Sequence, residues 1–343
     1  MHASAECFDF NQRERLLVCP VRQMGSRAKA LLARPGFSGK ALAVLSAAIY
    51  LVSEEGEILW LSQEGLAMHR RSMLASFRAK SICVGQTFLV QGPFLRFPEG
   101  VTIDLDRAKE WKPVAVRPND AKPLTAVYSC ARGLVETILK LGNAKGLGRM
   151  IPLISAPAHG KTHATSDADP LLIGARNPIL NLAMACFNFD MTEVTRKGRE
   201  LVGLGPGLTP SGDDFLGGLL FAAHSLKTAY PQEFNWGAEL VADLIDWAST
   251  QTHPISHAIL RDHAFGHGPE PLHDVVTSLL KGHDLGRAME GVKRLLGIGD
   301  SSGWDILAGL LTGMLLVEGK VSARPALAPF SQGRIEDKNG GEQ

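Results

Sequence analysis

The chain has 343 residues, about two domains' worth, with 36 Lys and Arg against 35 Asp and Glu, a net charge of +1. A balance this even supplies no electrostatic footprint for nucleic acid or for an acidic membrane surface. Apolar residues at 45% and charged residues at 21% are enough for a sizeable core and exclude global disorder.

Five scattered cysteines without a Cys-x-x-Cys pair argue against a disulfide framework or a thiolate zinc site and suit a reducing cytoplasm. The first fifteen residues carry Glu6, Asp9, Arg13, Glu14 and Arg15 and no apolar stretch, so no secretion signal is expected. The longest uncharged apolar run, Ala41 to Val52, is shorter than the roughly 18 residues a bilayer span needs. The expectation is a soluble cytoplasmic protein with no membrane and no nucleic-acid partner.

In chain order, residues 1–39 read as an N-terminal extension, polar at its start. Residues 40–117 read as a β-rich domain: strands over 48–52 and 57–61 flank Gly56 as a hairpin, and shorter strands follow over 87–90, 94–97 and 101–105 between Gly and Pro breaks. A small antiparallel sheet or barrel is expected, with one helical interruption near 64–77. Pro113, Pro118 and Pro123 mark a linker. The period then lengthens to three or four in Leu124, Val127, Ala131, Leu134, Ile138 and Leu141, the pattern of an amphipathic helix. Residues 155–170 read as a long loop. Helices are expected at about 178–188, 191–202, 213–228, 236–250, 254–264, 271–281, 285–296 and 303–318, so that 118–320 forms a helical domain and 321–343 a flexible tail. The fold class expected is α+β.

Two segments of the helical half resemble each other. SGDDFLGGLL (211–220) aligns without a gap to SGWDILAGLL (302–311), seven of ten positions being identical. An architectural explanation covers part of this: Ser followed three residues later by Asp approximates a capping box, and the apolar residues beyond it describe two buried, Gly-rich capped helices. It leaves Gly203, Gly205 and Gly207, interleaved with Pro206 and Pro210, unexplained. Free N–H groups in a Gly-rich turn entering a helix make a concave donor surface suited to an anion. No Lys-Ser/Thr pair closes it into a nucleotide loop. The adjacent Asp213 and Asp214 require either a bridging divalent cation such as Mg or amide donors from a ligand.

The runs GLGPGLTPSGDDFLGG (203–218) and GIGDSSGWDILAG (297–309) resemble the hallmark of a bacterial family long catalogued as a domain of unknown function. One branch supplies a subunit of oxamate carbamoyltransferase, a multi-subunit enzyme of allantoin and purine-ureide breakdown; the resemblance spans roughly residues 40–318. It implies carbamoyl transfer between carbamoyl phosphate and oxamate, giving oxalurate and phosphate or the reverse, in a hetero-oligomer with other carbamoyltransferase subunits. The chemistry, rather than the family, suggests roles for the residues. Gly205, Gly207, Thr209, Ser211, Gly212, Asp213, Ser301, Ser302 and Gly303 are candidates to hold phosphate or carboxylate. Asp214 and Asp305 are candidates to accept from and orient NH₂ groups, provided the twin helix starts meet. His257 is a candidate acid/base and Arg199 a candidate phosphate contact. Among the histidines at 253, 257, 263 and 267, Pro254 makes His253 a cap, and the acidic partner of a zinc hydrolase motif is missing. The alternatives are a non-catalytic scaffold or metabolite-sensing subunit, or a stand-alone hydrolase or transferase of another small amide or phosphate.

Overall fold

A computed structural model describes residues 17–77, 81–98, 100–155 and 169–323. The expected loop over 155–170 and the tail fall almost entirely outside these residues. The fold is α+β.

The N-terminal part is built from β1 (Leu17–Gly25), α1 (Ser26–Leu32), β2 (Ser38–Val44), β3 (Ala48–Ser53), β4 (Ile58–Ser62), β5 (Ser72–Ala75), β6 (Thr87–Gln91), β7 (Phe94–Arg96), β8 (Val101–Asp104) and β9 (Lys109–Trp111). The strands run in the order β5-β4-β3-β2-β6-β7-β8-β1-β9, and a further β5–β1 pairing closes eight of them into a barrel. Closure removes the edges that an open sheet would expose. The expected hairpin is β3–β4, with Gly56 at φ +82°.

Three expectations need correction. The sheet is mixed, since β1 pairs parallel with β8 and then β9, and β4 pairs parallel with β5. The stretch expected as an extension contributes β1, which closes the barrel by bonding β5 on one edge and β8 on the other. No helix forms near 64–77. Turns lead there into β5, whose Met73 is buried in the barrel core, and Met68 and Leu74 are buried as well.

Alternation along β3 points Ile49, Leu51 and Ser53 into the barrel and turns Tyr50 and Val52 outward. Every residue of β4 is buried, because its outer face, Ile58 and Trp60, packs on Ile255 and Ala258 of α8 (Pro254–Ala264). A buried ionic group ties the same seam. Arg71 grips Asp262 of α8 through two hydrogen bonds, Nε–Oδ2 at 2.6 Å and Nη2–Oδ1 at 3.0 Å, and also reaches Glu57. His69 stacks on Trp60 and bonds the His267 carbonyl oxygen at 3.0 Å.

The helical part comprises α2 (Leu124–Ile138), the short α3 (Ile151–Ile154), α4 (Pro170–Phe187), α5 (Met191–Gly198), α6 (Ser211–Ala229), α7 (Ala238–Ala248), α8, α9 (Glu270–Lys281), α10 (Leu285–Leu296) and α11 (Ser302–Ser322). As expected, His253 caps α8, accepting from the Ile255 N–H. Among the described residues α4 alone is long and apolar enough to cross a membrane by length and composition; Leu172, Ala175, Ile179, Leu182 and Cys186 lie in the helical core. The four described cysteines are unpaired.

At the centre lie α6 and α11, buried over nearly all their length. An ideal Cβ on Gly218 would sit 2.0 Å from the Ile306 oxygen, and one on Gly309 would sit 1.8 Å from the Phe215 oxygen. These four positions are exact counterparts in the aligned repeat, so each helix presents its glycine to the other's backbone. The pair is therefore related by a pseudo-two-fold axis. Gly313 meets Leu219 and Ala222, one turn further along both helices, so the helices run parallel and start at the same end.

Candidate functional site at the paired helix starts

The two starts meet through exchanged side chains. Ser211 of the first motif donates to Asp305 of the second, and Ser302 of the second donates to Asp214 of the first. The Thr209 and Ser302 hydroxyls lie 3.4 Å apart. The serines are not the capping residues expected. Pro210 and Ser301 occupy the N-cap positions, neither with a side-chain bond to the helix backbone. Each helix begins one residue earlier than a Ser cap would require, which frees the Ser211 and Ser302 hydroxyls to cross to the opposite aspartate.

The three aspartates are not equivalent. Asp213 braces the Gly-rich loop, accepting from the Gly203 N–H at 2.7 Å, from Ser256 at 2.5 Å and from Thr252. Asp305, wholly buried, accepts from the Leu147 N–H at 2.6 Å and from Ser301 at 2.9 Å as well as from Ser211. Gly146 precedes that contact with φ +50°, and a Cβ there would strike the Asp305 carboxylate at 2.3 Å. Asp214 takes the Ser302 and Thr209 hydroxyls, but its Oδ2 is buried without any partner.

Burial pushes the Asp214 carboxyl far above the usual carboxylate range, and neighbouring Asp305 and Asp213 add to this against the two hydroxyls. Burial likewise raises Asp305 to about 6, opposed by Leu147, Ser301 and Ser211. Asp214 therefore holds its proton to a higher pH than an exposed carboxyl does.

The loop above it offers donors. Gly205 and Gly207 take φ +113° and +97°, a backbone region open chiefly to glycine. The N–H groups of Gly207, Leu208 and Thr209 have no acceptor among the described residues, and Gly207 is exposed. Gly212 and Gly303, also paired in the repeat, have a different task. A Cβ on either would lie 2.0 Å from a carbonyl oxygen of the preceding segment, Leu201 or Leu295.

The structure leaves two candidates elsewhere. Arg199 is exposed, its guanidinium 5.5 Å from the Trp247 ring centroid. The His257 Nε2 lies 3.1 Å from the Ile245 carbonyl oxygen on α7, and burial lowers its pKa. A divalent cation does not fit this donor set. Asp213 is already engaged by three donors, burial disfavours the charged form of Asp214, and no group of three or more potential ligands is gathered among the described residues.

Tyr50 escaped sequence reading. It stands on the barrel, and its pKa is pushed to about 12 by burial and by neighbouring Asp214. Its only sequence signal is the strand alternation that turns it outward.

Residues 201–314 match the model of the family described as oxamate carbamoyltransferase subunit AllH. The match begins just before the Gly-rich loop and ends within α11, so it contains both motifs and none of the barrel. The resemblance carried by those motifs is to this family. No solved structure matches the chain.

Proposed function

We propose that the chain works as a subunit of an oxamate carbamoyltransferase, the description carried by the family that its residues 201–314 match. The observation carrying the reading is that the matched segment delivers both motifs to one point, where unpaired loop N–H groups and two half-exposed hydroxyls surround a carboxyl with a free oxygen.

In the direction that conserves carbamoyl phosphate, a phosphate oxygen attacks the ureido carbonyl carbon of oxalurate. The bond from that carbon to the bridging nitrogen breaks, and the nitrogen takes the phosphate proton to leave as oxamate. Nothing in this step needs a covalent enzyme intermediate. It needs two anions held together and charge on the carbonyl oxygen stabilised. The N–H groups of 207–209 with the Thr209 and Ser302 hydroxyls suit the anionic end of a ligand. Asp213 and Asp305 hold the loop and the second helix start, and Asp214 faces the ligand.

One observation favours a second reading, a non-catalytic metabolite-sensing subunit: most acceptor capacity of Asp213 and Asp305 is spent inside the protein. The chain co-expressed with its partner subunits decides between them. Carbamoyl phosphate formation from oxalurate and phosphate should fall at least about tenfold in Thr209→Val/Ser302→Ala, the loss of two hydrogen bonds at a reacting group. Unchanged turnover in a folded double variant would remove this chain from the catalytic site.

A further inference from the structure

A second concavity opens well away from the helix starts. An apolar groove of about 440 Å³ runs between α2, α3 and the later half of α11. Leu311, Met314, Leu315 and Glu318 form its floor, a stripe at helical spacing. Val135 and Leu139 wall it on α2, and Leu139 is 46% exposed. The groove has a direction. The chain leaving α2 reaches the turn Gly146–Met150, which sits on the first turn of α11 through the Leu147–Asp305 bond and the contact of Gly148 with Trp304. The helices therefore run antiparallel, and the start of α2 lies at the end of α11, where Glu318 is among the acids that bear on Arg132.

Residues 324–343 follow that end, after the cap at Ala323, and their sequence divides in two. RPALAPF (324–330) carries one charge and sets Leu327 and Phe330 among Pro and Ala, whereas SQGRIEDKNGGEQ (331–343) is mostly polar. Pro325 does not continue a helix, and both prolines favour an extended backbone. Seven extended residues reach about 23 Å, against about 18 Å back along α11 from Ala323 to Leu311. Residues 156–168, which follow Ser155 at the groove's rim, hold no large apolar side chain with which to fill it.

We propose that residues 324–330 double back from the end of α11 into this groove, laying Leu327 and Phe330 against Leu315, Leu311 and Leu139, with Arg324 beside Glu318. A segment stiffened by proline loses little entropy on docking, and its tether raises its effective concentration to about the millimolar range. The inference does not depend on the carbamoyltransferase reading: Leu315 and Glu318 lie past the family match, and none of these residues belongs to the paired helix starts.

The test uses the full-length chain. In a Cys83→Ser background, which removes an exposed native thiol, Val135→Cys/Phe330→Cys should oxidise to a disulfide within one chain, and Val135→Cys/Gly340→Cys should not. Leu327→Asp/Phe330→Asp should vacate the groove. A fluorescent peptide of residues 324–335 should then bind this variant at least about tenfold more tightly than wild type, where the tethered copy competes. Adding Leu139→Asp should abolish that binding, and thermal melts confirm that each variant folds. Equal peptide binding by wild type and the tail variant, with no disulfide between positions 135 and 330, overturns the proposal. A disulfide formed between chains, or a dimer lost in Leu139→Asp, assigns the groove to a second copy and overturns it. Protection of Val135→Cys from alkylation only when partner subunits are added assigns the groove to them and overturns it too.

Discussion

Gly218→Ala and Gly309→Ala should each destabilise the fold by about 1–3 kcal/mol or more, the range for overpacking a tight contact. A methyl at either position would lie 2.0 Å or less from the opposite helix's carbonyl oxygen, and backbone cannot step aside as a side-chain end can. On helix propensity alone, Gly→Ala would be worth about 1 kcal/mol in the other direction. Gly133 on α2 supplies that control, because its Cβ would meet only a Leu285 methyl at 4.0 Å. Both substitutions push the same two helices apart, so the double variant should cost less than the sum of the singles. The strain also falls on the exchanged Ser211–Asp305 and Ser302–Asp214 bonds, two turns away at the helix starts. Urea unfolding midpoints read the outcome. If Gly309→Ala unfolds where Gly133→Ala does, the helices do not meet at this crossing.

The meeting of α6 and α11 was legible because the repeat is written in residue types. The same Ser, Gly and Asp recur at the same spacing, and parallel placement makes each copy the other's partner. Helix boundaries from 191 onward follow from apolar period and from caps such as Pro254, so most fall within a few residues of expectation. What a linear pattern cannot carry is who satisfies whom. Capping chemistry predicts Ser211 bonding its own helix, yet the hydroxyl goes to Asp305, since the helix begins at Ser211 and not beyond it. Asp305 gave no sign that Leu147, 158 positions earlier in the chain, would be its donor. The barrel's closure escaped for a similar reason: β1 pairs with strands 49 to 84 positions later, and parallel pairs leave no turn to read. Tyr50 and Arg71 look like ordinary strand residues until α8 is laid against them.

The seam between barrel and helices should make the protein acid-labile, through histidines that lie away from the paired helix starts. His263 is fully buried with both ring nitrogens unpartnered, its ring against Gly217 of α6 and 6.2 Å from that of His69. Burial, then nearby histidines, depress His263 to about 3 and His273 to about 4. Burial, with Arg71 alongside, holds His69 well below its ordinary value. A group whose folded pKa lies below its unfolded value of about 6.5 contributes stability that is complete above that pH and lost as pH falls towards the folded value. His263 and His273 therefore each cost about 1.4 kcal/mol per pH unit over that window, and His69 acts in the same direction. Asp214 and Asp305 act in the opposite sense. Their folded pKa values are raised, so the folded state binds protons first; for Asp305 stability grows as pH drops from about 6 towards 4, and Asp214 acts in the same direction. His263 and His273 against Asp305 leave a net loss of about 1.4 kcal/mol per unit over that range, with His69 adding to it and Asp214 opposing it. His263→Phe should flatten the profile between pH 6 and 4 by about one histidine's slope, and Asp214→Asn should steepen it by removing an opposing acid. Urea midpoints at pH 7.5, 6.5, 5.5 and 4.5 measure both slopes. A wild-type profile level from 6.5 to 4.5, reproduced by His263→Phe, would mean that the imidazoles take up protons without opening the seam.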